Sequence, residues 1–278
     1  MIEGWVVNGA SISNLAYILT DASGAATAPG RRGDNIPVPG RHGELRTVRK
    51  PYDVGTVVLL LTVAGCLPDG SVPGGSTEMA EFFARADALL LLFSAETVTL
   101  DHTRPDGSVR RCVGEVTAVM DFTRVGPAPI GRISIAMTLY DPFWADISPV
   151  TTGALTWTSG QTRTLLAFAG ASAPMADLDI LITGPANNPE VRQPATSSFI
   201  AYDGLIGAGQ TLTIRCDDTV EAPLVGTGGL VPDYTKIRYL PPRWFDLTPA
   251  AGLDVQVVHT GGGSVPVTIS GRRKHLIG

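Results

Sequence analysis

The chain has little of what most protein chemistry requires. Its three cysteines, Cys66, Cys112 and Cys216, are odd in number and far apart. They make no CxxC pair and no Cys/His ligand spacing, which argues against a structural zinc or a disulfide framework. Free buried thiols in a reducing compartment are the expectation. The four histidines, His42, His102, His259 and His275, form no HExxH pair and accompany no GxSxG nucleophile elbow, so each reads as a surface or loop histidine. No phosphate-binding loop is present, and the glycine cluster Gly226, Gly228 and Gly229 has no helix behind it. Asp217-Asp218 lacks the acidic spacing of an EF-hand and reads as a solvated strand end. Glu115 and Asp121 are expected on one face of a single strand, with nothing to select them for acid–base work. The expectation is therefore no enzyme, no cofactor and no metal.

Charge is scarce as well. Charged residues make up 17% of the chain, against about a quarter in ordinary proteins. The net charge of −5 supplies no field for sequence-specific nucleic-acid binding, although it does not oppose passage of DNA through a lumen. The longest apolar run, from Val57 to Ala64, is too short to span a bilayer, so no membrane insertion is expected. The opening Met1-Ile2-Glu3-Gly4-Trp5 has no basic segment followed by an apolar core, and a soluble product matured in a cytosol is anticipated.

What the chain does have is glycine (32), proline (21) and a 44% apolar fraction over 278 residues. That is enough for two cored domains, with short strands and turns outweighing helices. The first half reads as α+β. Residues 57–63 form a continuous apolar strand whose two faces are both expected to be covered. Ser76 or Thr77 can cap a helix with Glu78 and Glu81 in its first turn, and Met79, Phe82, Phe83, Ala86 and Leu90 would form its buried face. Arg104-Pro105-Asp106-Gly107-Ser108 is a turn between two strands. Val116, Ala118, Met120 and Phe122 alternate as a further strand. Ile133, Ile135, Met137 and Leu139 are apolar at every second position, the pattern of a half-buried strand. Pro142 stops that ladder, and Phe143 and Trp144 anchor the departing chain.

Residues 20–51 are rich in Gly, Pro and Arg, and from position 31 onward Arg31, Arg32, Arg41, Arg46, Arg49 and Lys50 face only Asp34 and Glu44. A loop this long is either floppy or an arm, such as a β-hairpin, ordered against a neighbour. The Arg32-Gly33-Asp34 tripeptide is a chance occurrence, and Arg272-Arg273-Lys274 reads as a solvated tail. The second half reads as all-β, with alternating strands at residues 178–182, 212–216, 253–257 and 265–269, which favours a sandwich.

The stretch Leu139-Tyr140-Asp141-Pro142-Phe143-Trp144-Ala145 resembles the strand-to-linker junction of distal tail (Dit) proteins of long-tailed bacteriophages. The run from Arg32 through Gly43, followed by Tyr52-Asp53, is similar to loops of actinobacterial-phage tail proteins. Gly184-Pro185-Ala186-Asn187-Asn188-Pro189, Gly209-Gln210-Thr211 and the run from Trp244 to Asp254 follow the order of landmarks in the galectin-like Dit domain. Ala250, Ala251 and Asp254 depart from the usual "leucine, proline, glycine" turn.

The resemblance implies a mainly β chain. A β-sandwich-like ring domain with one helix would span residues 1–148, carrying the basic loop 20–51, and a galectin-like β-sandwich would span 149–278. It implies a structural virion protein, assembled in the host cytoplasm, that forms a ring (a hexamer by resemblance) at the distal end of the tail tube. Its partners would be copies of itself, the tail tube protein and tail-tip hub or baseplate proteins. The expected subunit contact involves Arg31, Arg32, Arg41, Arg46, Arg49, Val57, Leu59 and Leu61, with Tyr140, Asp141, Pro142, Phe143 and Trp144 at the domain junction.

Competing readings are a carbohydrate-binding module for host attachment, another tail-tip hub component and, last, a wall hydrolase. The galectin sugar motif His-x-Asn-x-Arg is missing: His42-Gly43-Glu44-Leu45-Arg46 lacks the Asn, and Trp157 and Trp244 read as core anchors.

Overall fold

The structure is a computed structural model that describes residues 4–32, 36–37, 44–45, 52–118, 121–216, 224–225, 231–232, 234–239, 245–261 and 263–278. The chain divides into two compact units, Met1–Ala145 together with Leu276–Gly278, and Asp146–His275. The return of the last three residues to the first unit is invisible to a boundary read along the sequence.

In the first unit the strands are β1 (Gly4–Val7), β2 (Ala10–Ser11), β3 (Tyr17–Ser23), β4 (Ile36–Pro37), β5 (Glu44–Leu45) and β6 (Gly55–Ala64). The helix α1 (Glu78–Phe93) follows, then β7 (Val98–Thr103), β8 (Val109–Val116), β9 (Asp121–Arg124) and β10 (Ile130–Leu139); β11 (Trp144–Asp146) begins in this unit and ends at Asp146, the first residue of the second. Hydrogen bonds order the main sheet β2-β1-β7-β8-β10-β6-β3. Its centre is the antiparallel pair β6–β10, in register from Gly55↔Leu139 to Ala64↔Ile130. Alternation sends Val57, Leu59, Leu61 and Val63 inward beside Ile133, Ile135 and Met137, all at 1% exposure or less. The anticipated cover on both faces of β6 is incomplete among the described residues: Leu60 is 37% exposed, and Val58, Thr62 and Ala64 are half-buried. The register explains this, because Leu60 and Thr62 lie beside Ser134 and Arg132, which are exposed on β10.

Thr77 is the helix cap. Its Oγ1 accepts the Ala80 N–H at 3.2 Å, and Glu78 and Glu81 occupy the first turn. The buried stripe is Phe82, Ala86, Leu89 and Phe93. Phe83, expected on that stripe, is 52% exposed. One residue is about 100° of helix rotation, enough to carry Phe83 off a face centred on Phe82. The start of the helix comes so close to the end of β6 that a Cβ on Gly65 would lie 2.1 Å from the Glu78 carbonyl oxygen.

The predicted turn at residues 104–108 joins β7 to β8. Asp106 accepts from the Ser108 hydroxyl and N–H, which hold its carboxyl below the usual range. The alternating strand expected through Val116, Ala118, Met120 and Phe122 is interrupted. β8 ends at Val116 and β9 begins at Asp121, and both pair with the same edge of β10. Glu115 and Asp121 therefore belong to different strands, and Met120 lies outside the described residues.

The second unit contains β12 (Val150–Thr151), β13 (Leu155–Thr158), β14 (Gln161–Thr164), β15 (Asp179–Thr183), β16 (Ala186–Gln193), β17 (Ser198–Tyr202) and β18 (Leu205–Ile206). They are followed by β19 (Thr211–Arg215), β20 (Leu224–Val225), β21 (Val231–Pro232), β22 (Ile237–Tyr239), β23 (Asp254–Thr260), β24 (Ser264–Gly271) and β25 (Lys274–His275). One sheet runs β12-β24-β15-β19-β20-β21, with β13 also on β24; the other runs β14-β23-β16-β17-β22. Their facing sides make one core. Rows of apolar residues cross the first sheet in register, Ile269–Ile180–Ile214 and Val267–Ile182–Leu212, each at 1% exposure or less. This is the sandwich that the alternating strands announced.

One polar side chain organises its closing turn. Gln193 is fully buried; its amide nitrogen donates to the carbonyls of Thr248 (3.0 Å) and Gly252 (2.6 Å), and its oxygen accepts the Thr248 N–H at 3.0 Å. The turn at Pro249–Ala251 that departs from the family spacing is thereby held at both ends.

Two substitutions test the helix orientation. Phe82→Ala should cost about 3–5 kcal/mol in urea unfolding, and Phe83→Ala less than about 1 kcal/mol. Equal losses would show that the buried face has been assigned wrongly.

Candidate functional site

The junction residues close the first unit. After β10, Tyr140 is 56% exposed, with its N–H on the Val113 carbonyl at 3.0 Å. Asp141 accepts the Phe143 N–H at 3.1 Å, which tightens the turn around Pro142. Phe143 and Trp144 are buried, as anchoring requires. Trp144 meets Trp5 edge-on at 6.0 Å, and Trp5 stacks on His102 at 4.1 Å. The chain's end completes this cluster: a Cβ on Gly278 would lie 2.5 Å from the Trp144 ring, and the Gly278 N–H donates to Ala25 at 2.6 Å. Arg110 holds the Ile277 carbonyl at 2.5 Å.

Phe143 also reaches the neck of the basic loop. Tyr52 meets it edge-on at 4.8 Å, and the Arg31 guanidinium lies 3.7 Å from the Tyr52 ring centroid while donating to the Tyr52 hydroxyl at 2.9 Å. The Asp53 N–H closes the neck on the Gly30 carbonyl at 2.8 Å. Beyond it, β4 and β5 pair as a separate two-stranded sheet, the hairpin form of the arm. Arg31 and Arg32 are exposed; Arg41, Arg46 and Arg49 lie outside the described residues.

Val57, Leu59 and Leu61 are a correction. All three are fully buried in the first unit's own core, so their side chains have no surface to offer another subunit. Alternation puts the open positions of that strand elsewhere. The exposed apolar side chains of the unit include Leu60 and Ile18 on the sheet and Phe83 and Leu91 on the helix, with Leu91 at 74%. Beside Leu91 a groove of about 620 Å³ runs between α1 and the β1–β2 end, with Asn8, Asn14, Tyr17 and Arg85 among its walls. Burial raises the Tyr17 phenol's pKa against the opposing effect of Arg85, and its hydroxyl donates to the Arg85 carbonyl at 3.1 Å.

The histidines correct the surface reading. His102, His259 and His275 are 4–7% exposed, and His42 lies outside the described residues. His275 Nε2 is 2.8 Å from Asp146, which also receives Arg273 at 2.6 Å, while Lys274 pairs with Asp177 at 3.1 Å. The Arg272-Arg273-Lys274 run is thus largely built into the second unit, where paired charges tolerate burial that a free tail would not supply. Among the described residues no group of three or more His, Cys, Asp or Glu is placed to hold a metal. Asp217, Asp218 and the Gly226, Gly228 and Gly229 cluster lie outside them. Cys112 and Cys216 are buried, and burial pushes the Cys112 thiol well up, away from reactivity. Trp157 is completely buried, as a core anchor should be, and Trp244 is outside the described residues.

No protein-family model and no curated protein matches the sequence. Solved structures do match its fold. The Dit protein of phage SPP1, described as a paradigm of the hub adsorption apparatus in phages infecting Gram-positive hosts, aligns over 99% of both chains with a TM-score of 0.61. The chain has the fold of a Dit protein. Identity to the SPP1 protein is only 13%, so the likeness is one of architecture. Two structures of the phage P2 baseplate in its activated conformation, with Ca and with Sr, align at TM-scores of 0.42 and 0.41 and 10% identity. They cover 97–98% of this chain and 98% of theirs.

The neck makes a measurable prediction. Arg31→Ala should speed hydrogen exchange at the Asp53 N–H by about tenfold while leaving the Ile133 N–H on β10 unchanged, as read by NMR. Equal acceleration at both sites would mean that Arg31 supports the whole unit rather than the loop's root.

Proposed function

We propose that this chain is a structural component of a phage tail tip: a Dit-type protein that forms a ring on the end of the tail tube and holds the hub or adsorption machinery. The observation that carries the reading is the match of both units, end to end, to the SPP1 Dit fold. A fold alone does not specify function. The surface of the first unit supplies independent support. Its helix exposes Phe83 and Leu91, its sheet exposes Ile18 and Leu60, and a two-stranded hairpin stands beyond a braced neck. Exposed apolar side chains on the two elements, together with a strand pair separate from the main sheet, suit self-association, and identical subunits meeting head to tail close into a ring when the rotation permits.

In this reading the subunit contact uses the hairpin with Arg32, Arg41, Arg46 and Arg49 and the open faces of α1 and β6. The second unit is left for other tail-tip proteins, and six copies form the ring. DNA passes through its lumen without sequence recognition, and assembly takes place in the host cytoplasm.

Native mass measurement of the full chain is the test. Six copies are expected at micromolar concentration, and Leu91→Asp should shift the population toward monomer without lowering the unfolding midpoint. A monomer at all concentrations, missing from purified particles, would overturn the proposal. Deleting residues 33–50, which leaves the Arg31–Tyr52 neck in place, should weaken assembly. If that variant forms rings as readily as the intact chain, the arm has no part in it.

A further inference from the structure

Among the described residues of the second unit, one cation, Arg163, has no anion beside it. Arg163, on β14, donates from Nη2 to the Thr156 carbonyl at 2.8 Å and toward the Gln161 side-chain oxygen at 3.4 Å, both neutral acceptors. Its Nε is buried with no hydrogen-bond partner, and no carboxylate pairs with it among the described residues. A guanidinium presents five donors in a planar fork suited to a carboxylate. The nearest acid on the facing strand, Asp254, is engaged by the Thr164 hydroxyl at 2.5 Å.

Arg163 also lines a groove of about 500 Å³, whose apolar walls include Leu155, Leu165, Leu166 and Ala167. Leu166 is 76% exposed at the rim. β14 ends its sheet, with β23 its only strand partner among the described residues, so one edge of its backbone is unpaired.

We infer that this groove is a docking site for an acidic, extended segment of another protein, in which an Asp or Glu carboxylate pairs with Arg163 and an apolar neighbour packs against Leu155 and Leu166. Charge complementarity selects the carboxylate, because burying a guanidinium is offset most fully by a paired anion. The free edge of β14 selects an extended chain, which can add to it as a strand. Acidic sugar is the poorer fit. Sugar platforms need an exposed aromatic face, and the one ring beside Arg163, Trp157, is fully buried beneath it at 5.5 Å. The inference rests on the tail-tip reading for the identity of the partner but not for the chemistry of the groove.

The probe is a fluorescein-labelled peptide, Gly-Leu-Ser-Asp-Ser-Leu-Gly, whose Leu, Asp and Leu share one face when extended. Its binding to the full chain is followed by fluorescence anisotropy. Saturable binding is expected, weakened about tenfold when Asn replaces the peptide's Asp or in Arg163→Gln, and weakened further by salt. Leu166→Asp, at an exposed position that cannot compromise folding, should also abolish binding. Its far-UV spectrum should be unchanged, which keeps the test decisive if Arg163→Gln unfolds. Equal binding of the Asn peptide, retained binding by Leu166→Asp, or tighter binding of oligogalacturonate than of the peptide would overturn the inference. Ring formation, measured separately by mass, reports only on the tail-tip reading, so the two can fail independently.

Discussion

The register of β6 on β10 is the constraint from which most of the first unit follows. Pairing from Gly55↔Leu139 to Ala64↔Ile130 fixes which alternate side chains enter the core, and a slip of one residue would turn every one of them outward. With Leu59 and Leu61 facing Phe82 and Leu89 in a common core, α1 has a surface to cover, and Gly65 lets its first turn approach the end of β6. The same register leaves Leu60 and Thr62 beside the exposed Ser134 and Arg132. The outer side of the sheet is therefore mixed in polarity at these positions.

The ladder also fixes where the chain leaves the sheet. Because β10 ends at Leu139, Phe143 reaches the Tyr52 side of the loop neck while Trp144 reaches Trp5. The junction and the root of the basic arm thus share one aromatic neighbourhood. The second unit uses a different device for its own irregular turn, a buried amide whose carbonyl and amino groups are both engaged. Removing Gln193 would leave backbone donors and acceptors unpaired in the interior, which is more costly than never having buried them.

Much of this was legible in the sequence wherever a period could be read. Ile133, Ile135, Met137 and Leu139 announced β10, residues 104–108 announced their turn, and Thr77 with Glu78 and Glu81 announced the start of α1. Four of the second-unit strands, β15, β19, β23 and β24, were visible from the same alternation, whereas β16 and β17 were not read from it. Where reading failed, the cause was a partner on another part of the chain. Val57, Leu59 and Leu61 looked available for a subunit contact because an apolar run does not say which face is already taken. Phe83 looked buried because it stands four residues from Met79, yet the helix turns its other side to the sheet. The histidines looked superficial because neither Trp5 near His102 nor Asp146 near His275 is close in sequence.

By itself the sequence determined the class of the molecule: two β-rich units, one helix, a turn-rich chain poor in charge and without a recognisable catalytic motif. Local periodicity and turn chemistry are properties of neighbouring residues and need no folded context to be read. Only the tertiary structure decided which apolar positions are occupied, how Gln193 holds its turn, that Gly278 returns to Trp144, and that Arg163 stands beside a groove with no acid among the described residues. Each of these depends on residues brought together from distant parts of the chain, and packing in three dimensions, not spacing along one, determines who meets whom.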